Sequence, residues 1–200
     1  MNKDRQNIRL DAFDSSLVKS TSEHFVMQET TGEGYAKVDL YVQNFCVLFE
    51  KVDKHPLEYL KHKNCPDFVL FENRSGCWIP HIFEFKRTIN TKHFEHSKKQ
   101  FLGGLQNALA FAGVLGISLS LGDTVLYSVY RNDNLSDVSN PAKIRCQMHN
   151  RDTNEQKKNE KIIKQEWING CVNIAFDGDA TFELKKIKLD AKSGETEYTL

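Results

Sequence analysis

Polar and apolar positions alternate clearly only after residue 34. Lys37-Val38-Asp39-Leu40-Tyr41-Val42 puts an apolar side chain at every second position, the period of a strand with one buried face. Phe45-Cys46-Val47-Leu48-Phe49 is a continuous apolar run closed by Glu50. Its aromatic and branched content suits a buried strand, with a helical turn as the alternative. Residues 66–71 and 77–85 predict two more strands. The polar Asn73-Arg74-Ser75-Gly76 between them makes the pair a hairpin, and Pro80 marks a strand start or a bulge. Phe101, Leu105, Ala108, Leu109 and Ala112 recur at helical spacing, which predicts the longest helix over 94–115. Gly103 and Gly104 inside it each cost about 1 kcal/mol relative to Ala, so they imply close packing or a nearby ligand.

The flanks are less patterned. Pro56 suits the first position of a short helix over 56–63. Residues 124–130 predict a strand, 133–141 a loop and 143–148 another strand. Ile162, Ile163, Trp167 and Ile168 form a second helical stripe, closed by Gly170. Two strands, 172–176 and 181–189, flank the hairpin turn Asp177-Gly178-Asp179. Before Gly34 the chain is polar apart from Leu17 and Val18 and reads as a loose lead-in or a first helix. From Ala191 it reads as frayed. The order of strand, hairpin, long helix and strand gives an α/β or α+β class, with a C-terminal helix and β-hairpin.

A chain of 200 residues buries roughly 70% of its extended surface and needs no staples. It reads as a single domain over 1–200, with a core over about 45–130, a lead-in over 1–34 and an elaboration over 131–200. The five cysteines, Cys46, Cys65, Cys77, Cys146 and Cys171, form no C-x-x-C pair. That excludes a zinc ribbon or an iron–sulfur cluster and favours free thiols in a reducing compartment. No apolar run approaches the roughly 20 residues of a membrane span, and residues 1–10 lack the apolar region of a secretory signal. The expectation is a cytoplasmic protein without a membrane partner.

Net charge is zero, with 27 basic and 27 acidic residues, which excludes a uniformly basic coat. The charge is uneven, however. Residues 1–50 carry net −3, residues 51–99 net +4 and the remainder net −1. The basic surplus falls on the segment with the strongest candidate chemistry. There, Asp67 stands at the start of one predicted strand and Glu84-Phe85-Lys86 at the end of its partner. Side chains two apart on a strand share a face, so Glu84 and Lys86 project together and Asp67 lies across from them. Two carboxylates can hold a hard cation such as Mg²⁺. The cation polarises a phosphate and acidifies a bound water, while an ammonium orients that water or stabilises developing charge. The plain alternatives are a solvated ion pair between Glu84 and Lys86, worth under about 1 kcal/mol, and a capping role for Asp67.

Cys65-Pro66-Asp67, Glu84-Phe85-Lys86 and the helix around Lys98-Lys99-Gln100 together resemble the PD-(D/E)xK nuclease superfamily. The resemblance covers residues 45–130. It implies a restriction-endonuclease-like mixed central sheet flanked by helices, and a Mg²⁺- or Mn²⁺-dependent nuclease that hydrolyses phosphodiester bonds, with DNA favoured over RNA. It makes Asp67 and Glu84 the metal ligands, Lys86 the catalytic lysine and Gln100 an added catalytic residue. Many members also carry an acidic residue before the hairpin, for which Glu50 and Glu58 are candidates, Glu50 being taken. Arg87, Lys98 and Lys99 would then contact nucleic acid. The branch that continues Q-x-x-x-Y would need Tyr at position 104, where this chain has Gly104. The resemblance is therefore to the broad superfamily. A non-catalytic module on the same fold, binding nucleic acid or protein, is the alternative function. The oligomeric state is left open, a homodimer included.

Overall fold

A computed structural model of the chain describes residues 8–30, 35–50, 64–136, 154–176 and 178–200. The expected helix over 56–63 with Glu58, the expected strand over 143–148, Cys146 and Asp177 lie outside the described residues. Among the described residues there are ten strands: β1 (Val18–Thr21), β2 (His24–Glu29), β3 (Ala36–Tyr41), β4 (Cys46–Glu50), β5 (Phe68–Arg74), β6 (Cys77–Ile89), β7 (Val125–Asp133), β8 (Cys171–Ala175), β9 (Asp179–Lys188) and β10 (Glu195–Thr199). The α-helices of the described residues are α1 (Thr91–Leu115) and α2 (Asn154–Asn169). Neither is long and apolar enough to cross a membrane.

Seven strands form a mixed sheet in the order β1-β4-β5-β6-β7-β9-β8, and three form a second sheet, β10-β3-β2. β4, β5 and β6 are an antiparallel meander. β6 pairs with β7 in parallel, and β7 with β9 in parallel. The expected hairpin is β5–β6: Ser75 and Gly76 have φ of 53° and 91°, the left-handed pair that a two-residue turn requires. A parallel neighbour needs a crossover, which α1 supplies between β6 and β7. Asn90 caps the start of α1 by accepting from the His93 N–H at 2.9 Å, and Gly116 ends it at φ 75°.

Strand alternation splits the large sheet into two buried faces. Leu48, Phe68, Leu70, Phe83, Phe85, Tyr127, Val129 and Ile187 pack against Phe25, Met27, Val38 and Leu40 of the small sheet. Ile82, Leu126, Phe182 and Leu184 pack against Phe94, Phe101 and Leu105 of α1 and Ile163 and Trp167 of α2. Trp78 and Trp167 are core residues, as their type suggests. The class is mixed α+β in three layers: small sheet, large sheet, helices.

Two expectations are corrected. The lead-in contains strands β1 and β2 rather than a helix or loose chain. The exposed Val26 sits between buried Phe25 and Met27 and hides the period of β2. The tail is not frayed: β10 pairs in parallel with β3, and Tyr198 packs its ring against Tyr127 at 5.9 Å. Only one of its five residues is apolar, so what orders it is the backbone ladder to a distant strand.

Candidate functional site

The approach to β5 is built by the two glycines of α1. A Cβ at Gly103 would stand 1.6 Å from the Asn64 carbonyl oxygen. A Cβ at Gly104 would stand 2.6 Å from Ile82 Cγ2 and 3.0 Å from Pro66 Cγ. Only a bare backbone lets residues 64–66 lie this close to the helix. Gln100 and Asn107, one turn to either side, secure the same segment. Gln100 Nε2 donates to the Cys65 carbonyl at 3.2 Å, and Asn107 Nδ2 to Cys65 Sγ at 3.5 Å. The small, polar face of α1 thus clasps the chain just before Asp67.

Asp67 brackets Glu84. Its N–H donates to the Phe83 carbonyl at 3.1 Å, and its carboxylate Oδ2 accepts from the Phe85 N–H at 2.8 Å. Glu84 is fully buried and Asp67 nearly so. Both share strand parity with residues on the helix-facing side, Ile82 for Glu84 and Val69 for Asp67. Lys86 follows Glu84 on that face, pairs with Glu84 Oε1, and keeps 19% of its side chain exposed. Gln100 is buried, and its Oε1 accepts no hydrogen bond from the described residues. The Cys65 carbonyl fixes which way the amide points, because only the NH₂ end can donate to it. The structure therefore places Asp67, Glu84 and Lys86 on one face and ties Gln100 to the chain two residues before Asp67.

The other expected residues fall elsewhere. Glu50 shares its parity with Cys46 and Leu48, which face the small sheet, and it pairs with Lys19 there. It stands on the opposite face from Glu84 because it is in register with Phe68, not with Asp67. Lys98 is held by Glu166 of α2, donating to both carboxylate oxygens at 2.9 Å, while Glu166 Oε1 also accepts from the Asn173 N–H at 3.0 Å. That ion pair joins the two helices. Arg87 and Lys99 are exposed. Lys99 lines a cavity of about 310 Å³ with Leu102, Ile162, Ile163 and Ile174, whose walls do not include Asp67, Glu84 or Gln100.

A row of registered residues crosses the sheet through Glu84. Val69, Ile82, Leu126 and Leu184 are Cα partners across β5, β6, β7 and β9, and all four are buried and apolar. Two residues further along β6, the partners are Glu84, Ser128 and Lys186. A polar row thus lies directly beside an apolar one. Ser128 was not singled out from the sequence. Its signal was the one small polar side chain in Val125-Leu126-Tyr127-Ser128-Val129-Tyr130, at the parity of Leu126 and Tyr130.

Two carboxylates with a fully buried member and an uncommitted amide oxygen are oxygen donors of the type a hard cation takes. Among the described residues no group of three or more His, Cys, Asp or Glu side chains is gathered. A cation here would rest on Asp67 and Glu84, its remaining ligands being amide oxygens or water. This donor set fits Mg²⁺, which keeps several waters and uses one or two carboxylates.

A second buried polar cluster lies on the other face. Glu72 Oε2 contacts His81 Nε2 at 3.1 Å and accepts from Arg74 Nε at 2.8 Å, while Oε1 accepts from Asn44 Nδ2 at 2.7 Å. His81 Nδ1 lies 3.0 Å from the Tyr127 hydroxyl. A carboxylate only accepts, so the neutral imidazole donates from Nε2 and accepts the Tyr127 O–H at Nδ1. The hydrogen bond from His81 holds the Glu72 carboxyl down at about 2, Arg74 and Asn44 assisting. Burial outweighs Glu72 and lowers the His81 pKa, so the ring is neutral. Burial also raises the Tyr127 phenol. The neighbouring Cys46 thiol is pushed up to about 12, by burial first and the Glu72 charge second, so it is no nucleophile. No protein-family model matches the chain, and no curated protein or solved structure is similar to it.

Proposed function

We propose that this protein is a metal-dependent nuclease on a restriction-endonuclease-like fold, hydrolysing phosphodiester bonds of nucleic acid, with DNA favoured over RNA. The observation that carries the reading is the placement of Asp67, Glu84 and Lys86 on one face at the open end of the β5–β6 hairpin, away from its Ser75-Gly76 turn. The fold reading is supported by the meander β4–β5–β6, the crossover α1 and the parallel β7, which carry the D and ExK residues on adjacent strands.

Asp67 and Glu84 would hold Mg²⁺ or Mn²⁺, which when bound polarises the phosphate and makes a water more acidic. The Phe85 N–H holds the Asp67 carboxylate in place. Lys86 lies beside Glu84 and reaches solvent, so its ammonium can orient the attacking water or stabilise charge on the phosphate oxygens. The free Oε1 of Gln100 offers that water a hydrogen-bond acceptor. Arg87, exposed near the end of β6, and Lys99, exposed in the first half of α1, are suited to phosphates, so binding weakens as salt rises.

The test is cleavage of labelled single- and double-stranded DNA and RNA with Mg²⁺, Mn²⁺ or EDTA. Wild type is compared with Lys86→Ala and Asp67→Asn. Cleavage that needs the metal and is lost in both folded variants supports the reading. Cation-independent cleavage, or no cleavage of any substrate, sinks it. Nucleic-acid binding without cleavage points instead to a non-catalytic module.

A further inference from the structure

Ser128 and Glu84 are Cα partners on the parallel strands β7 and β6, and both side chains are fully buried. Ser128 shares its parity with Leu126 and Tyr130, which pack under the helices, so it faces the layer that holds Gln100. Its hydroxyl makes no hydrogen bond to the described residues. Leaving such a donor buried costs about 1–3 kcal/mol. Thr124 is the other buried hydroxyl in this condition. It lies just before β7, outside the polar row. An unmade donor in register with a buried carboxylate invites a second state in which the bond is made.

That state follows from the other partner of Glu84. Lys86 sits on Glu84 Oε1. In the proposed reaction its ammonium is needed at the phosphate or the attacking water. A ligating carboxylate whose lysine has moved away still has acceptor sites to satisfy. Resting on the nuclease reading, we propose that Ser128 is a positioning residue: when a divalent cation binds, Glu84 exchanges Lys86 for the Ser128 hydroxyl. The exchange frees the lysine and holds the carboxylate toward the cation. No covalent step is involved.

The test measures Mn²⁺ binding to the full chain by calorimetry, without nucleic acid, in wild type, Ser128→Ala and Ser128→Thr. Thermal midpoints without metal are recorded alongside. Loss of a group that supports a metal ligand typically weakens binding by about 10–100-fold. Ser128→Ala is therefore expected to bind Mn²⁺ at least about tenfold more weakly, with a metal-free midpoint equal to or above wild type. Ser128→Thr, which keeps the hydroxyl, restores affinity. If Thr lowers the midpoint because its methyl does not fit, the Ala variant decides alone. A folded Ser128→Ala with wild-type affinity overturns the exchange and leaves the nuclease reading standing. A wild type that neither binds Mn²⁺ nor cleaves nucleic acid overturns both.

Discussion

The two faces of the seven-stranded sheet each bury a glutamate beside a basic side chain, and they treat it differently. Toward the small sheet, Glu72 accepts from Asn44, Arg74 and His81, and His81 passes its second nitrogen to Tyr127. Toward the helices, Glu84 Oε1 takes Lys86, and the surrounding layer contains a hydroxyl and an amide oxygen with no partner among the described residues. Burying a charge is tolerable when its hydrogen bonds are complete. Glu72 therefore reads as structure. A layer that leaves bonds unmade gives up stability, which is expected where a ligand or a second state completes it.

The largest expected contrast is catalytic. Lys86→Ala should lower metal-dependent cleavage by about 10²–10⁴-fold, the range of a positioned acid–base group. Tyr127→Phe, on the other face, should leave the rate unchanged. Equal losses in single-turnover cleavage would erase the distinction between the faces.

The next contrast is in stability, with the sides reversed. Glu72→Ala strips the Asn44 and His81 donors of their acceptor and should cost about 3 kcal/mol in urea denaturation. Glu84→Gln should cost less than Glu72→Ala, since it keeps the shape and an acceptor oxygen, removes a buried charge, and Lys86 can turn to solvent. If the second variant proves the more damaging, Glu84 is the structural residue.

Within α1 the comparison sharpens further. Gly103→Ala drives a methyl into the Asn64 carbonyl and should destabilise by about 1–3 kcal/mol while displacing Asp67. Gly113→Ala meets no atom within 4 Å and should stabilise by about 1 kcal/mol, the helix propensity difference. Thermal midpoints of the two variants moving in the same direction would contradict this placement of the helix.

The smallest effect is on pH. His81 and Glu72 both have pKa values lowered in the folded chain, so each contributes stability above its unfolded value, 6.5 and 4.5. The His81 share is lost as pH falls below about 6.5, and the Glu72 share between about 4.5 and 2. Melting midpoints of wild type should decline through both windows, and Glu72→Gln should flatten the lower one.

Much of this was legible in residue order. The hairpin and its turn, the long helix, the C-terminal helix and hairpin, and the facing of Glu84 with Lys86 all follow from local period and turn chemistry. Gly103 and Gly104 were legible as a close approach, though not what approaches them. Strand β10 and residue Ser128 were not legible, because each depends on a partner far along the chain. Glu50 was misplaced for the same reason: its register with Phe68 sets its face, and pairing is not written in a single strand.

The sequence alone determined the central hairpin, the long helix after it, a mixed class of helix and strand, and the short list of groups able to do chemistry, because periods of two and 3.6 and the demands of turns are local. Only the tertiary structure decided which of two glutamates is held by Asn44, Arg74 and His81 and which is paired with a lysine beside an unbonded hydroxyl and amide oxygen. That difference depends on strands in register, on a helix without Cβ atoms at its crossing and on burial that turns a surface ion pair into a desolvated one. All three are properties of distant residues brought together.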